Sequence, residues 1–172
     1  MATTFTGPRA GAGIVPVDPG MGFVTFGIPG WIDIATNPTA NDVYELCWLP
    51  AGFVCTGGFI YSTDFDVGTE ALDMDLGWAS NGGSGTYDAA DSDGLGNFGV
   101  WNGDAFATGN ISIVAGNIMS FAGAFLSGTG VFPYFTKKTK VQALCNVTAN
   151  SFSAGRLSII CNGYVDPSLR AG

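Results

Sequence analysis

The amino-acid sequence predicts an all-β protein: an antiparallel β-sandwich, jelly-roll-like, with an extended N-terminal arm. Three observations predict it. About eight short apolar or alternating segments lie between residues 43 and 165, which is the number a sandwich or jelly roll uses. No stretch sustains a helical period between proper caps. Gly, Pro, Asp and Thr punctuate the segments at short intervals.

Residues 1–40 are read as the arm. Gly7, Pro8, Gly11, Gly13, Pro16, Pro19, Gly20, Gly22, Gly27, Pro29, Gly30 and Pro38 interrupt every attempt at periodic structure, so no regular element of useful length is expected there. Between the breakers lie short apolar pieces, Ile14-Val15, Phe23 to Phe26 and Trp31 to Ile34, that are costly to leave in water. Ile14, Val15, Phe23, Phe26, Trp31 and Ile34 are therefore the candidate assembly-interface residues. An arm of this kind lies across its own domain or adds a strand to a neighbour's free sheet edge.

Residues 41–172 are read as the sandwich domain. Val43 to Leu49, Phe53 to Tyr61 and Leu72 to Trp78 come first, and in the third Leu72, Met74, Leu76 and Trp78 alternate with Asp73, Asp75 and Gly77. That period of two predicts one buried and one wet face. Residues 79–110 read as loops around short strands or turns, with a weak helical tendency near Ala89. Ile111 to Val114, Ile118 to Phe125, Val131 to Phe135, Lys140 to Val147 and Arg156 to Val165 complete the set, and the last two, flanking Thr148 to Gly155, suggest an antiparallel pair.

Composition points to assembly. The chain has 172 residues, enough for one ordinary core. Only 12% of them are charged, about half the usual share, while 47% are hydrophobic. No apolar run approaches the roughly 18 residues of a membrane span, so other protein subunits are expected to cover the surplus apolar surface. A net charge of −8 repels nucleic acid, and the one basic knot, Lys137, Lys138 and Lys140, reads as a solvated strand edge. The opening MATTFTGPRAG has no charged region followed by an apolar stretch, so synthesis in the cytoplasm is expected. Cys47, Cys55, Cys145 and Cys161 all lie in apolar strand contexts and are expected as buried free thiols, with a disulfide as the alternative.

Chemistry is poorly provided for. With no histidine in the chain, the commonest general base and the commonest metal ligand are missing, and no enzyme, cofactor or metal site is expected. Asp73 and Asp75 share a strand face roughly 6–7 Å apart, a separation compatible with paired-carboxylate chemistry but equally with solvated alternation. Gly94-Leu95-Gly96-Asn97-Phe98-Gly99 matches G-x-G-x-x-G, yet a polar loop precedes it and no amphipathic helix follows, so it is no dinucleotide site. Asp91-Ser92-Asp93-Gly94 matches a fragment of a calcium loop. Ala89 and Val100 at its first and last ligand positions exclude an EF-hand; turn formation is the preferred reading, with a calcium gathered from separate loops as its alternative. Trp78, Tyr87 and Trp101 border the Gly-rich region, where core packing competes with stacking on sugar rings.

The segment Leu49 to Trp78, with Leu-Pro-Ala-Gly before an apolar strand and then Leu-Asp-Met-Asp-Leu-Gly-Trp, resembles small virion structural proteins of tailed phages. Ala149 to Tyr164, ending Ala-Gly-Arg-Leu-Ser-Ile-Ile-Cys-Asn-Gly-Tyr, is similar to their closing strand pair. The resemblance covers about half the chain and rests on general pattern; it implies a capsid decoration, or cement, protein. Such a protein is non-enzymatic, sits on the capsid surface and stabilises the shell as a homotrimer in contact with the major capsid protein. The alternative is a tail or fibre adhesin, a carbohydrate-binding module that recognises host glycan through the loop aromatics.

Overall fold

The computed structural model describes residues 2–11, 26–100, 119–120 and 132–170. In chain order these form β1 (Thr4–Thr6), the helical turn α1 (Pro8–Gly11), β2 (Phe26–Ile34), β3 (Val43–Leu49), β4 (Phe53–Ser62), β5 (Asp73–Trp78) and β6 (Asp91–Val100). β7 (Met119–Ser120), β8 (Tyr134–Phe135), β9 (Thr139–Val147) and β10 (Gly155–Val165) follow, and a short 3-10 turn, Pro167–Leu169, closes the described chain.

The strands make two sheets. One runs β1-β3-β9-β5-β6 and the other β2-β10-β4-β7, with β8 also on β4. Most consecutive strands fall in opposite sheets, so the chain winds around the core as a jelly roll does, and the expected all-β sandwich is the observed fold. Alternation places the core: on β10 Leu157, Ile159, Cys161 and Val165 face inward, and β2 answers with Ile28, Ile32 and Ile34. Met74, Leu76 and Trp78 of β5 and Leu46 and Leu49 of β3 fill the other side. Each such side chain contributes roughly 1.5–3 kcal/mol by leaving water.

Several local expectations change. Residues 26–34 form a nine-residue strand despite Gly27, Pro29 and Gly30. Among the described residues β2 is the end strand of its sheet, a position where proline is tolerated. Within residues 79–110, read as loops around short strands or turns, residues 91–100 form the ten-residue strand β6, and the G-x-G-x-x-G match lies along it. A Cβ at Gly94 would overlap the Trp78 ring at 2.3 Å, so the glycine that looked like a turn signal makes room for a core tryptophan. β9 and β10 do not pair with each other. β9 lies between β3 and β5, whereas β10 lies between β2 and β4, and residues 148–154 carry the chain from one sheet to the other.

That crossing is held by Asp66, which accepts from the backbone N–H groups of Ala71, Leu72, Asn150 and Ser151 at 2.7–3.1 Å. Asp88 does the same for the loop after β5, accepting from Gly85 N, Thr136 N, Thr136 Oγ1 and Asn81 Nδ2. At the N-terminus, β1 runs parallel to β3, Phe5 stacks on Tyr44 with centroids 4.9 Å apart, and Trp48 Nε1 donates to Ala10 O. Residues 2–11 thus lie on their own domain.

Candidate assembly surface

The outward face of the β2-β10-β4 sheet departs from the polar pattern expected of a solvated sheet. Its rows follow from register. Ile160 of β10 stands between Pro29 of β2 and Phe59 of β4, and Ser158 stands between Trp31 and Tyr61. Arg156 lies opposite Asp33 and binds it through Nε and Nη2 at 2.6 and 2.9 Å. Phe59 and Ile160 are 42% and 43% exposed, and Pro29, Trp31 and Tyr61 are half-buried. A Cβ at Gly27 would stand 2.8 Å from Ile160 Cγ2, so the isoleucine leans over the glycine along the strand. The result is one apolar row, Pro29, Ile160 and Phe59, beside a second in which Trp31 and Tyr61 flank Ser158, bordered by a mutually neutralising ion pair.

The opposite sheet presents a different surface. Asp73 and Asp75 lie on β5 with Asp91 and Asp93 on β6, and Asn146 Nδ2 donates to Asp75 Oδ2 at 2.7 Å. Asp75 is 6% exposed, and its Oδ1 has no hydrogen-bond partner among the described residues. Burial raises its pKa, the Asn146 bond opposes that, and the charges of Asp73 and Asp93 add to the rise. The two acidic motifs singled out in the sequence therefore meet, yet among the described residues no group of three or more acidic or thiol side chains is arranged to hold a metal ion. At the other end of this sheet Lys138 and Lys140 lie 4.3 and 4.7 Å from the Trp48 ring, and Lys140 pairs with Glu45 at 2.5 Å. Lys137 Nζ donates to Gly82 O. The basic knot is tied to its own subunit.

Of the six candidate interface residues, Trp31 lies on the apolar outward face, whereas Ile34 is 3% exposed and belongs to the core. Phe26 begins β2; Ile14, Val15 and Phe23 fall outside the described residues. Phe59, Tyr61 and Ile160 escaped the sequence reading. Trp78 packs edge-on against Tyr87 and Phe135 inside the core and donates Nε1 to Ala89 O, which leaves it unavailable to a sugar ring; Trp101 lies outside the described residues. All four cysteines are free and buried. Cys161 meets Cys47 and Cys55, and these thiol contacts, with burial, raise its pKa well above the ordinary value.

No protein-family model matches the chain, and no curated protein matches it. Solved structures do. A chain from the "Capsid of Ralstonia phage GP4" superposes with a TM-score of 0.64 at 17% identity, over 95% of this chain and 98% of that one. A chain from the "Cyanophage Pam1 capsid asymmetric unit" gives 0.57 at 19% identity, over 90% of this chain and 96% of that one. At such identities the likeness is one of fold, and it extends over most of this chain and nearly all of each of the others.

Proposed function

We propose that the chain is a non-enzymatic virion structural protein that decorates and stabilises a phage capsid. It seats on the outer surface of the shell, in contact with the major capsid protein and with further copies of itself in a trimer. The end-to-end likeness to two chains taken from phage capsids carries this reading. The low charge content and the apolar outward face support it, because both call for protein cover. A net charge of −8 suits a position away from packaged nucleic acid. Ile14, Val15, Phe23 and Phe26 remain arm contacts to neighbours in this proposal, joined by Trp31 on the sheet face.

Quantitative mass spectrometry of purified particles tests it. A shell protein occurs in copies on the order of hundreds, set by the repeating lattice. Particles lacking it should release their contents at lower temperature. Absence from the particle, or a copy number matching a single tail, refutes the proposal.

A further inference from the structure

We infer that the outward face of the β2-β10-β4 sheet, centred on Ile160, Phe59 and Trp31, is a contact between copies of this chain. Two things on this face choose that occupant. The first is its chemistry: Ile160 occupies the middle strand with apolar neighbours in register on both sides, where a solvated sheet carries polar side chains. The second is charge. Each copy carries −8, so two copies approach best through the surface with least net charge. Among the described residues this face carries the Arg156–Asp33 pair, which sums to zero, while the opposite sheet carries Asp73, Asp75, Asp91 and Asp93, with Glu45, Lys138 and Lys140 at its other end leaving it net acidic. Stacking the acidic faces would set like charges against each other; stacking the neutral faces turns them away from the contact. An anionic partner gains nothing from a neutral face.

The strength follows from size. Three strands about 4.8 Å apart and three to four outward rows about 6.7 Å apart give a footprint of roughly 300–400 Å², below the ~800 Å² per partner of a stable interface. The contact is therefore weak and concentration-dependent in the isolated protein. A face that meets its own counterpart is a two-fold contact, so in the particle, on the reading proposed above, it joins copies of neighbouring trimers that the shell holds side by side.

The test uses the full chain in solution. Sedimentation velocity over a wide concentration range should show reversible self-association that persists or strengthens with added salt, because salt screens the net repulsion and leaves apolar contact intact. Ile160→Glu and Phe59→Lys, each at an exposed position, should weaken it about tenfold or more with an unchanged circular dichroism spectrum. Val67→Glu, exposed elsewhere, should not. Ser158→Cys supplies an accessible thiol in the middle of the face, the native cysteines being buried, and should cross-link two copies under mild oxidation. A wild type that stays monomeric at high micromolar concentration, association weakened by salt, or association untouched by Ile160→Glu would each overturn the inference. A monomeric wild type whose Ile160→Glu variant fails to bind particles assigns the face to the shell instead, which overturns the self-contact and leaves the capsid reading standing.

Discussion

Asp66 is the single side chain whose removal should cost the fold most for the fewest atoms deleted. It is 1% exposed, and its Oδ2 accepts from Ala71 N, Leu72 N and Asn150 N while Oδ1 accepts from Ser151 N. Asp66→Ala leaves four backbone N–H groups without their acceptor at the point where two loops meet. Hydrogen bonds to a charged group are worth roughly 1.5–3 kcal/mol each, and water entering the vacated space recovers part of the loss. A net cost of about 3–5 kcal/mol follows, which lowers the melting temperature by roughly 6–20 °C for a domain of this size. Asp66→Asn separates charge from shape: its carbonyl in the Oδ2 position keeps three donors, while its amide opposes Ser151 N–H, so the loss should be intermediate. The pH dependence has a definite sign. Burial pushes the Asp66 carboxyl upward, but the bonds from Ser151, Ala71, Leu72 and Asn150 together outweigh it and hold its pKa below the ordinary carboxylate value. Its stabilisation is therefore present above the unfolded-state pKa and lost as pH falls through the folded-state value. Urea unfolding of wild type and both variants, at neutral pH and along the acid limb, measures this. The reasoning fails if Asp66→Ala costs less than about 1 kcal/mol, or if the variant loses stability on acidification as steeply as the wild type.

Asp75 should behave oppositely: its pKa is raised, so its ionisation subtracts stability as pH rises through the folded-state value, and Asp75→Asn, which keeps an acceptor for Asn146, should raise the neutral-pH melting temperature in a thermal scan. The four thiols should resist a water-soluble disulfide reagent in the native protein and react together on denaturation; the Cys145 thiol is pushed up to about 12 by burial and by the charges of Asp42 and Asp73. Deleting residues 1–11 removes the Phe5–Tyr44 stack, the Gly7 N to Glu45 O bond and the Trp48 to Ala10 bond, and should cost about 2–4 kcal/mol in urea while leaving a cooperative β-sheet spectrum.

What the sequence made legible, and what it hid, follows from what glycine and proline do in sheets. β5 was readable because Met74, Leu76 and Trp78 alternate with polar or small residues. β6 was not, since Gly94 answers to a tryptophan ring that only the folded state brings near it. β2 was hidden by Pro29, which breaks a central strand but is tolerated on an edge, and edge position is a property of topology. The supposed β9–β10 pair failed for the same reason: neighbours in sequence usually pair, and a jelly roll separates them. The candidate surface left one usable trace. Phe59-Ile60 and Ile159-Ile160 are consecutive apolar residues within strands, and successive strand residues face opposite sides, so one of each pair must point outward. The sequence did not say which, because in the run Phe53 to Tyr61 no charged residue marks the wet side.

The glycines link the interior to the surface. A Cβ at Gly30 would stand 2.6 Å from Leu46 O and 2.8 Å from Cys47 Cβ, and one at Gly77 would stand 2.0 Å from Asp91 O, so at both places another strand's backbone occupies the space a side chain would need. At these points close approach depends on an omitted side chain, within a core otherwise filled by apolar side chains from both sheets. Each omission forgoes apolar burial and adds roughly 0.5–1 kcal/mol of chain entropy lost on folding relative to alanine. Twenty-seven glycines make that a substantial charge against the isolated subunit. A fold so built gains most from contacts that form only after folding, since whatever binds the native state alone stabilises it by mass action. The outward row of Pro29, Ile160 and Phe59 offers such a contact, because its apolar area is still exposed to water once the core is complete. On the capsid reading proposed above, glycine content and surface apolarity are two sides of one arrangement, in which part of the stability that an ordinary domain keeps in its core is deferred to assembly.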